Sequence, residues 1–198
     1  MSNYKTKLDK IFVEEFYTSK DMTNTNILSI YNKASQQLNE KLQNADKYVK
    51  RIVINKSVLD DETYKILTTY KNLQELNFYN TNVTDKGLKH LAILKNLTYL
   101  NLNHANITDK GMKHLQLLFK LQTLILSYTK IADEGLKYLR LLQNLEELHL
   151  ASTDITDNGL KTLATLPNLI TLILSYTDIT TKGVKRLREA LPNTRIYT

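Results

Sequence analysis

The stretch LQELNFYNTNVTDKGLKHLAILKN, residues 73–96, decides the fold of this 198-residue chain. In Glu75-Leu76-Asn77-Phe78-Tyr79 apolar and polar residues alternate, the period of a half-buried strand. Leu76 and Phe78 therefore face inward, and Glu75, Asn77 and Tyr79 face outward. Thr81 and Val83 carry the chain around a turn, with Val83 buried. Thr84 has the character of a helix N-cap, because its hydroxyl can accept from a free amide of the first turn. Asp85 then places a negative charge at the positive end of the helix dipole. From Leu88 the inward positions step by three through Leu91 to Leu94, one short helical face. A strand, a turn and a short helix thus fill 24 residues.

That unit recurs without slippage. All five glycines of the chain, Gly87, Gly111, Gly135, Gly159 and Gly183, lie one 24-residue period apart. Leu73, Leu97, Leu121, Leu145 and Leu169 open five clear copies. Leu76/Phe78, Leu100/Leu102, Leu124/Leu126, Leu148/Leu150 and Leu172/Leu174 follow three and five residues later. Such self-similarity means a solenoid built from stacked copies of one unit. The glycines sit where each helix begins, at points where a side chain is predicted to collide with the neighbouring coil. They are too far apart to cradle a phosphate, which excludes dinucleotide and P-loop fingerprints. Two charged ladders share the period: Lys65, Lys89, Lys113, Lys137, Lys161 and Lys185, and, four residues before each of the first five, Asp61, Asp85, Asp109, Asp133 and Asp157. Pairs at that spacing contribute roughly 0.2–0.5 kcal/mol each, so self-neutralising pairs are predicted on the outer surface.

Before Leu73 the frame continues in worn form. Val49, Ile52, Ile54, Leu59 and Leu67 hold core positions, and Thr63 stands in the glycine place. Residues 49–72 read as a degenerate first repeat, as expected where one side meets solvent or a cap. Leu191-Pro192-Asn193 echoes Leu166-Pro167-Asn168 with a one-residue shift, and residues 194–198 begin one more edge strand. Parallel strands are predicted near 51–55, 75–79, 99–103, 123–127, 147–151 and 171–175. Residues 1–48 do not repeat. Leu8, Ile11, Phe12 and Phe16 are spaced for an amphipathic helix over 3–17, and Ile27, Ile30, Tyr31, Ala34, Leu38 and Leu42 for a second near 25–46. The organisation predicted is an N-terminal helical cap, 1–48, on an α/β solenoid of about six repeats, 49–198; the alternative role for 1–48 is docking a second protein.

Net charge is +7, and the C-terminal stretch with Lys182, Lys185, Arg186, Arg188 and Arg195 against Glu189 is its most basic part. A basic end attracts anionic partners through its long-range field. The alternation of lysine with aspartate elsewhere argues against nucleic acid. There is no cysteine, which favours a reducing compartment and excludes thiol chemistry and sulfur-ligated zinc. Met1–Glu15 carries no signal-peptide pattern and no stretch approaches the ~20 apolar residues of a membrane span. The sequons at Asn82, Asn96 and Asn106 arise from the repeat consensus. A cytoplasmic monomer is predicted, with non-classical export as an effector the alternative.

Catalysis finds little support, and no cofactor is predicted. Of four histidines, His90 and His114 occupy the same place in adjacent repeats, about one strand spacing apart, but no third ligand accompanies them. His149 and Glu147 share an outward strand face and could form an acid–base pair, yet nucleophile, oxyanion donor and lid are all missing. The outward strand rows are more informative. The central row is Val53, Asn77, Asn101, Ile125, His149 and Ile173; the row before it is Arg51, Glu75, Tyr99, Thr123, Glu147 and Thr171. After it come Tyr79, Asn103, Ser127, Ala151 and Ser175, then Asn80, His104, Tyr128, Ser152 and Tyr176. Tyrosine, histidine and exposed isoleucine on a parallel sheet are what a protein-binding face presents. The residues predicted to contact a partner are Tyr79, Tyr99, His104, Ile125, Tyr128, Glu147, His149, Ile173 and Tyr176.

These repeats resemble the leucine-rich repeat superfamily, in its T-D-x-G-L form found in bacterial proteins and beside F-box modules. The resemblance covers residues 49–198. It implies a right-handed coil with a concave parallel sheet and convex helices, and protein–protein recognition by effector or adaptor proteins. Thr81, Thr129, Thr153 and Thr177 stand near the places where the cysteine-containing form of the repeat has cysteine. The Leu-Pro opening of an F-box is missing from the N-terminus.

Overall fold

The computed structural model describes residues 26–198. Eight parallel strands form one sheet in sequence order: β1 Ile27–Tyr31, β2 Arg51–Asn55, β3 Glu75–Asn77, β4 Tyr99–Asn101, β5 Thr123–Ile125, β6 Glu147–His149, β7 Thr171–Ile173 and β8 Arg195–Tyr197. Between them run α1 Ser35–Asn44, α2 Asp61–Leu67, α3 Asp85–Leu91, α4 Asp109–Leu115, α5 Asp133–Leu136, α6 Asp157–Leu163 and α7 Thr181–Ala190. A 3₁₀ turn, Lys137–Leu141, prolongs α5. The sheet lines the concave side and the helices the convex side. Each strand pairs with the residue one repeat away, as in Leu76 with Leu100 and Leu124 with Leu148, so the sequence period is the sheet register.

Every anchor of the repeat is interior. Leu73, Leu76, Phe78, Val83, Leu88, Leu91 and Leu94 of one coil are buried, and so are their equivalents in the next. Each such side chain contributes roughly 1.5–3 kcal/mol on burial. The predicted strands at 75–79 and its equivalents are three residues long because the chain leaves the sheet early. Asn80, His104, Tyr128, Ser152 and Tyr176 all take left-handed backbone, φ 53–61°. In that turn Thr81, Thr129, Thr153 and Thr177 each donate a hydroxyl hydrogen bond to the carbonyl three residues earlier, at 2.6–2.9 Å.

The glycine ladder has a specific cause. Asp133 Oδ1 accepts from the Thr156 amide (2.9 Å) and its Oδ2 from the Thr156 hydroxyl (2.6 Å) in the following coil. Asp85 clasps Thr108, and Asp157 clasps Thr180, in the same way. A Cβ on Gly159 would fall against that same Asp133 oxygen, with Leu136 Cδ1 at 2.8 Å. The collision predicted from sequence is therefore with the neighbouring coil's carboxylate. Gly87 differs, since its added Cβ would meet the Tyr64 ring.

Three expectations are corrected. The helix predicted over 25–46 is strand β1 followed by α1. Leu28 and Ile30 pair with Ile52 and Ile54 of β2, and left-handed Asn32 (φ 51°) ends the strand where Lys56 (φ 48°) ends the next. The i, i+3 spacing of Ile27 and Ile30 thus came from two elements. The helix expected over 3–17 lies outside the described residues. The aspartate–lysine pairs at four-residue spacing do not form. Asp85, Asp133 and Asp157 are turned to the next coil's threonine, while Lys65 and Lys137 pair with Glu62 and Glu134, three residues before them, at 3.3 and 3.1 Å. Finally, the Thr84 side chain makes no cap bond, whereas Thr108, Thr156 and Thr180 do.

Candidate binding face

The one-repeat register stacks equivalent outward residues into rows along the concave sheet. In the row that opens the strands, Arg51 and Glu75 form a two-point ion pair, Nε to Oε2 at 2.6 Å and Nη2 to Oε1 at 2.9 Å. Tyr99 and Glu147 of this row are half-buried. Burial holds the Tyr99 phenol well above its ordinary pKa, against a lowering hydrogen bond with Asn101. Glu147 Oε1 lies 2.6 Å from His149 Nε2, and that bond holds the Glu147 carboxyl below the usual range.

The central row departs from expectation. Ile125 and His149, predicted to be exposed, are 4% and 3% accessible, and Ile173 is half-buried. Glu147 folded onto His149 accounts for part of this. Asn77 and Asn101 use their side-chain oxygens on the Tyr79 and Asn103 amides, at 2.9 and 2.8 Å, so these two asparagines terminate strands.

The remaining predicted residues gather at the margin where strands turn. Tyr79 lies in the turn two residues past β3, and His104 and Tyr128 lie in the turns after β4 and β5. The Tyr79 and His104 rings meet edge-on at 5.8 Å, and His104 stacks on Tyr128 at 4.3 Å with 10° between planes. Tyr176 occupies the same turn two coils on and is 64% exposed. Their backbone is fixed by the stack: His104 N–H donates to Ser127 O (3.1 Å) and Tyr128 N–H to Ala151 O (2.9 Å) of the following coils. The turn demands left-handed φ in every coil, which asparagine tolerates and bulky side chains resist. Asn32, Asn80 and His104 are of types enriched in that conformation; Tyr128 and Tyr176 are not.

The alignment of this ridge with left-handed backbone was missed from sequence, although the 24-residue spacing of positions 80, 104, 128, 152 and 176 was visible. Also missed was a row of exposed apolar residues, Ile93 and Leu117 just after their helices and Leu141 at the end of the 3₁₀ turn; their own 24-residue spacing could have shown it. His90, expected beside His114, stacks on Tyr64 at 5.8 Å. Burial and the Lys113 and Lys89 charges lower the pKa of His114. Among the described residues no cluster of three or more metal-ligating side chains occurs, and no helix is long and apolar enough to cross a membrane.

A single parallel sheet of 24-residue coils, hydrophobic within and aromatic along one margin, defines a repeat solenoid. The family description "Leucine Rich repeat" matches residues 71–92, 94–115, 118–139, 142–164 and 165–187, and the chain belongs to that family. Leucine-rich repeat proteins commonly mediate protein–protein interaction and are typically non-enzymatic scaffolds. Among solved structures, an internalin of Listeria monocytogenes is similar with a TM-score of 0.69 and 22% identity, over 87% of this chain and 48% of that one. Internalin C2 of the same organism gives 0.63 and 20%, over 87% and 80%. A leucine-rich repeat protein of Leptospira interrogans gives 0.55 and 25%, over 77% and 49%. The chain thus spans about half the length of the internalin first named and of the Leptospira protein. Comparison with curated proteins gives no match.

Proposed function

We propose that this protein is a non-catalytic recognition scaffold that binds a partner protein along the turn margin of its concave sheet. Tyr79, His104, Tyr128 and Tyr176 are the contact ridge. Tyr99, Glu147 and Ile173 flank it, and the buried Ile125 and His149 hold its floor. The observation that carries this reading is the placing of Tyr128 and Tyr176 on left-handed backbone, with His104 stacked on Tyr128. Side chains kept where their own backbone is unfavourable point to a role beyond folding. Aromatic side chains with polar tips are also the groups that dominate protein interfaces.

The division into an N-terminal segment and a repeat domain belongs to the proposal, with the repeats now beginning at β1. Cysteine-free repeats fit a reducing compartment such as the cytoplasm. The test is capture from an extract of the native source by the full chain and by its His104→Asn/Tyr128→Asn/Tyr176→Asn variant. Asparagine suits the turn, so the fold is retained. A protein captured by the parent and lost by the variant supports the reading; equal capture by both rejects it.

A further inference from the structure

The convex side carries a charge asymmetry that has no part in the core or in the contact ridge. Segments 65–74, 89–98, 113–122, 137–146 and 161–170 run from the second half of each helix, or from the 3₁₀ turn, into the loop before the next strand. Together they hold eight lysines and Arg140 against one acid, Glu146, an excess larger than the whole chain's net +7. Every one of these cations is exposed. The carboxylates of the same helices sit at the opposite end, where Asp85, Asp133 and Asp157 are held by threonines of the next coil. Glu62 and Glu134 neutralise Lys65 and Lys137.

Exposed apolar side chains stand among these cations. Ile93 is 55% accessible, Leu117 46%, Phe119 51% and Leu141 59%. Their loops are tied side by side. Lys95 Nζ donates to the Leu117 carbonyl at 3.1 Å, Lys120 Nζ to Asn96 Oδ1 at 2.9 Å, and Asn144 Nδ2 to the Phe119 carbonyl at 2.8 Å. Burial, and after it the Lys113 and Lys89 charges, lowers the pKa of His114, so lysines of adjacent coils converge here. An exposed apolar patch rimmed by charge marks a docking surface, and its composition selects the occupant. Lysine is depleted from protein–protein interfaces, where arginine and aromatic residues are enriched; here lysine outnumbers arginine eight to one. Leucine and isoleucine tips add nothing to the phosphate contacts that lysines make on nucleic acid. Lysines around apolar tips suit an anionic bilayer, which offers negative headgroups above an apolar interior and demands no shape complementarity.

We propose that the loop edge of the convex side, with Ile93, Leu117, Phe119 and Leu141 as the inserting residues, is a docking surface for an anionic lipid membrane. The lysines engage the headgroups, and the four tips reach the acyl boundary. The attachment is peripheral. It uses the loops that precede the strands, whereas the contact ridge lies in the turns that follow them, so neither surface depends on the other.

The test is sedimentation of the full chain with phosphatidylcholine vesicles containing about 30% phosphatidylserine, and with vesicles of phosphatidylcholine alone. Binding to the anionic vesicles is expected to be at least roughly tenfold tighter and to fall with added salt, as screening requires. Leu117→Ser/Phe119→Ser/Leu141→Ser alters exposed positions, and is expected to weaken that binding about tenfold with an unchanged melting temperature. The chain has no cysteine, so Phe119→Cys and Asn158→Cys each take a single environment-sensitive fluorophore. On anionic vesicles the probe at Phe119→Cys is expected to shift to the blue. The probe at Asn158→Cys, in the first turn of α6, is expected to stay as in water. This second reading holds even should the serine variant be unstable. No binding to anionic vesicles, full binding by the serine variant, or equal shifts of both probes overturns the proposal. A chain that binds while the Phe119→Cys probe stays in water would give the attachment to the basic C-terminal helix and overturn it. Capture of poly-glutamate without any binding to vesicles would make the patch a dock for acidic protein and overturn it too.

Discussion

Replacing Gly159 with alanine tests the inter-coil clasp atom by atom. The new methyl would fall against Asp133 Oδ1, lie 2.8 Å from Leu136 Cδ1 and 3.1 Å from Ile155 Cγ2. To admit it, Asp133 must swing away and lose its bonds to the Thr156 amide and hydroxyl. Two charge-assisted bonds at a half-exposed site contribute together about 2 kcal/mol. Crowding of Leu136 adds about 1 kcal/mol, and alanine in place of glycine within a helix returns roughly 1 kcal/mol. The net loss is about 2 kcal/mol, a fall in melting temperature of roughly 4–8 °C for a chain of this size. A double-mutant cycle isolates the clasp: in an Asp133→Ala background the same glycine substitution should cost at least 1 kcal/mol less, because the carboxylate is gone. Gly135→Ala should cost less than Gly159→Ala. Its partner Asp109 holds the Ala132 amide, where no hydroxyl is available, and the next obstacle is the flexible Met112. Reversible denaturant melts of the parent and these four variants decide the matter. Stabilisation by Gly159→Ala, or additivity with Asp133→Ala, would refute the clasp.

Other perturbations follow from the same geometry. Tyr176→Asn should raise stability by about 0.5 kcal/mol by relieving left-handed backbone at an exposed site; a lowered melting temperature would count against strain there. Thr153→Val removes the buried hydroxyl bond to the Leu150 carbonyl and should cost about 1 kcal/mol in a urea melt, while an unchanged midpoint would assign the turn's stability to packing alone. Asp157 has its pKa lowered by the Thr180 hydroxyl and then amide bonds. A carboxyl depressed in the folded state gives stability that is present above its unfolded value, about 3.9, and is lost as pH falls through the folded one. Thermal midpoints should therefore be flat from pH 7 to about 5 and drop below about 4, and the drop should shrink in Asp157→Asn; an equal drop in that variant would exclude this carboxylate as a source.

The repeat itself was legible because it is local. Leu76, Phe78, Val83, Leu88 and Leu91 declare strand, turn and helix within a few residues, and identical spacing in the next copy declares the register. Residues 26–48 were misread because one drifted coil lacks the glycine and aspartate that mark the frame. Ile27, Ile30, Leu38 and Leu42 then fit a helical spacing by coincidence. The clasp could not be read from the Asp85–Lys89 spacing, since a helix-surface rule takes no account of an acceptor-hungry turn in the next coil. Exposure on the concave face was also beyond a period-2 argument. Alternation tells which way Ile125 and His149 point, and what covers them is a tertiary matter. The contact ridge was half legible: its residues were named, while the left-handed backbone that makes them informative appears only in three dimensions.

The central claim, that recognition runs along the aromatic margin, is tested most directly by measuring the dissociation constant of a captured partner for two variants of the full chain. One carries His104→Asn, Tyr128→Asn and Tyr176→Asn, and the other carries Lys113→Ala, Lys137→Ala and Lys161→Ala on the convex face. Truncated aromatic anchors often cost about 2 kcal/mol or more each, so the ridge variant should bind at least a hundredfold more weakly with an unchanged or higher melting temperature. The lysine variant should bind within a few-fold of the parent. A lysine variant that fails to bind, beside a ridge variant that binds like the parent, would contradict the account.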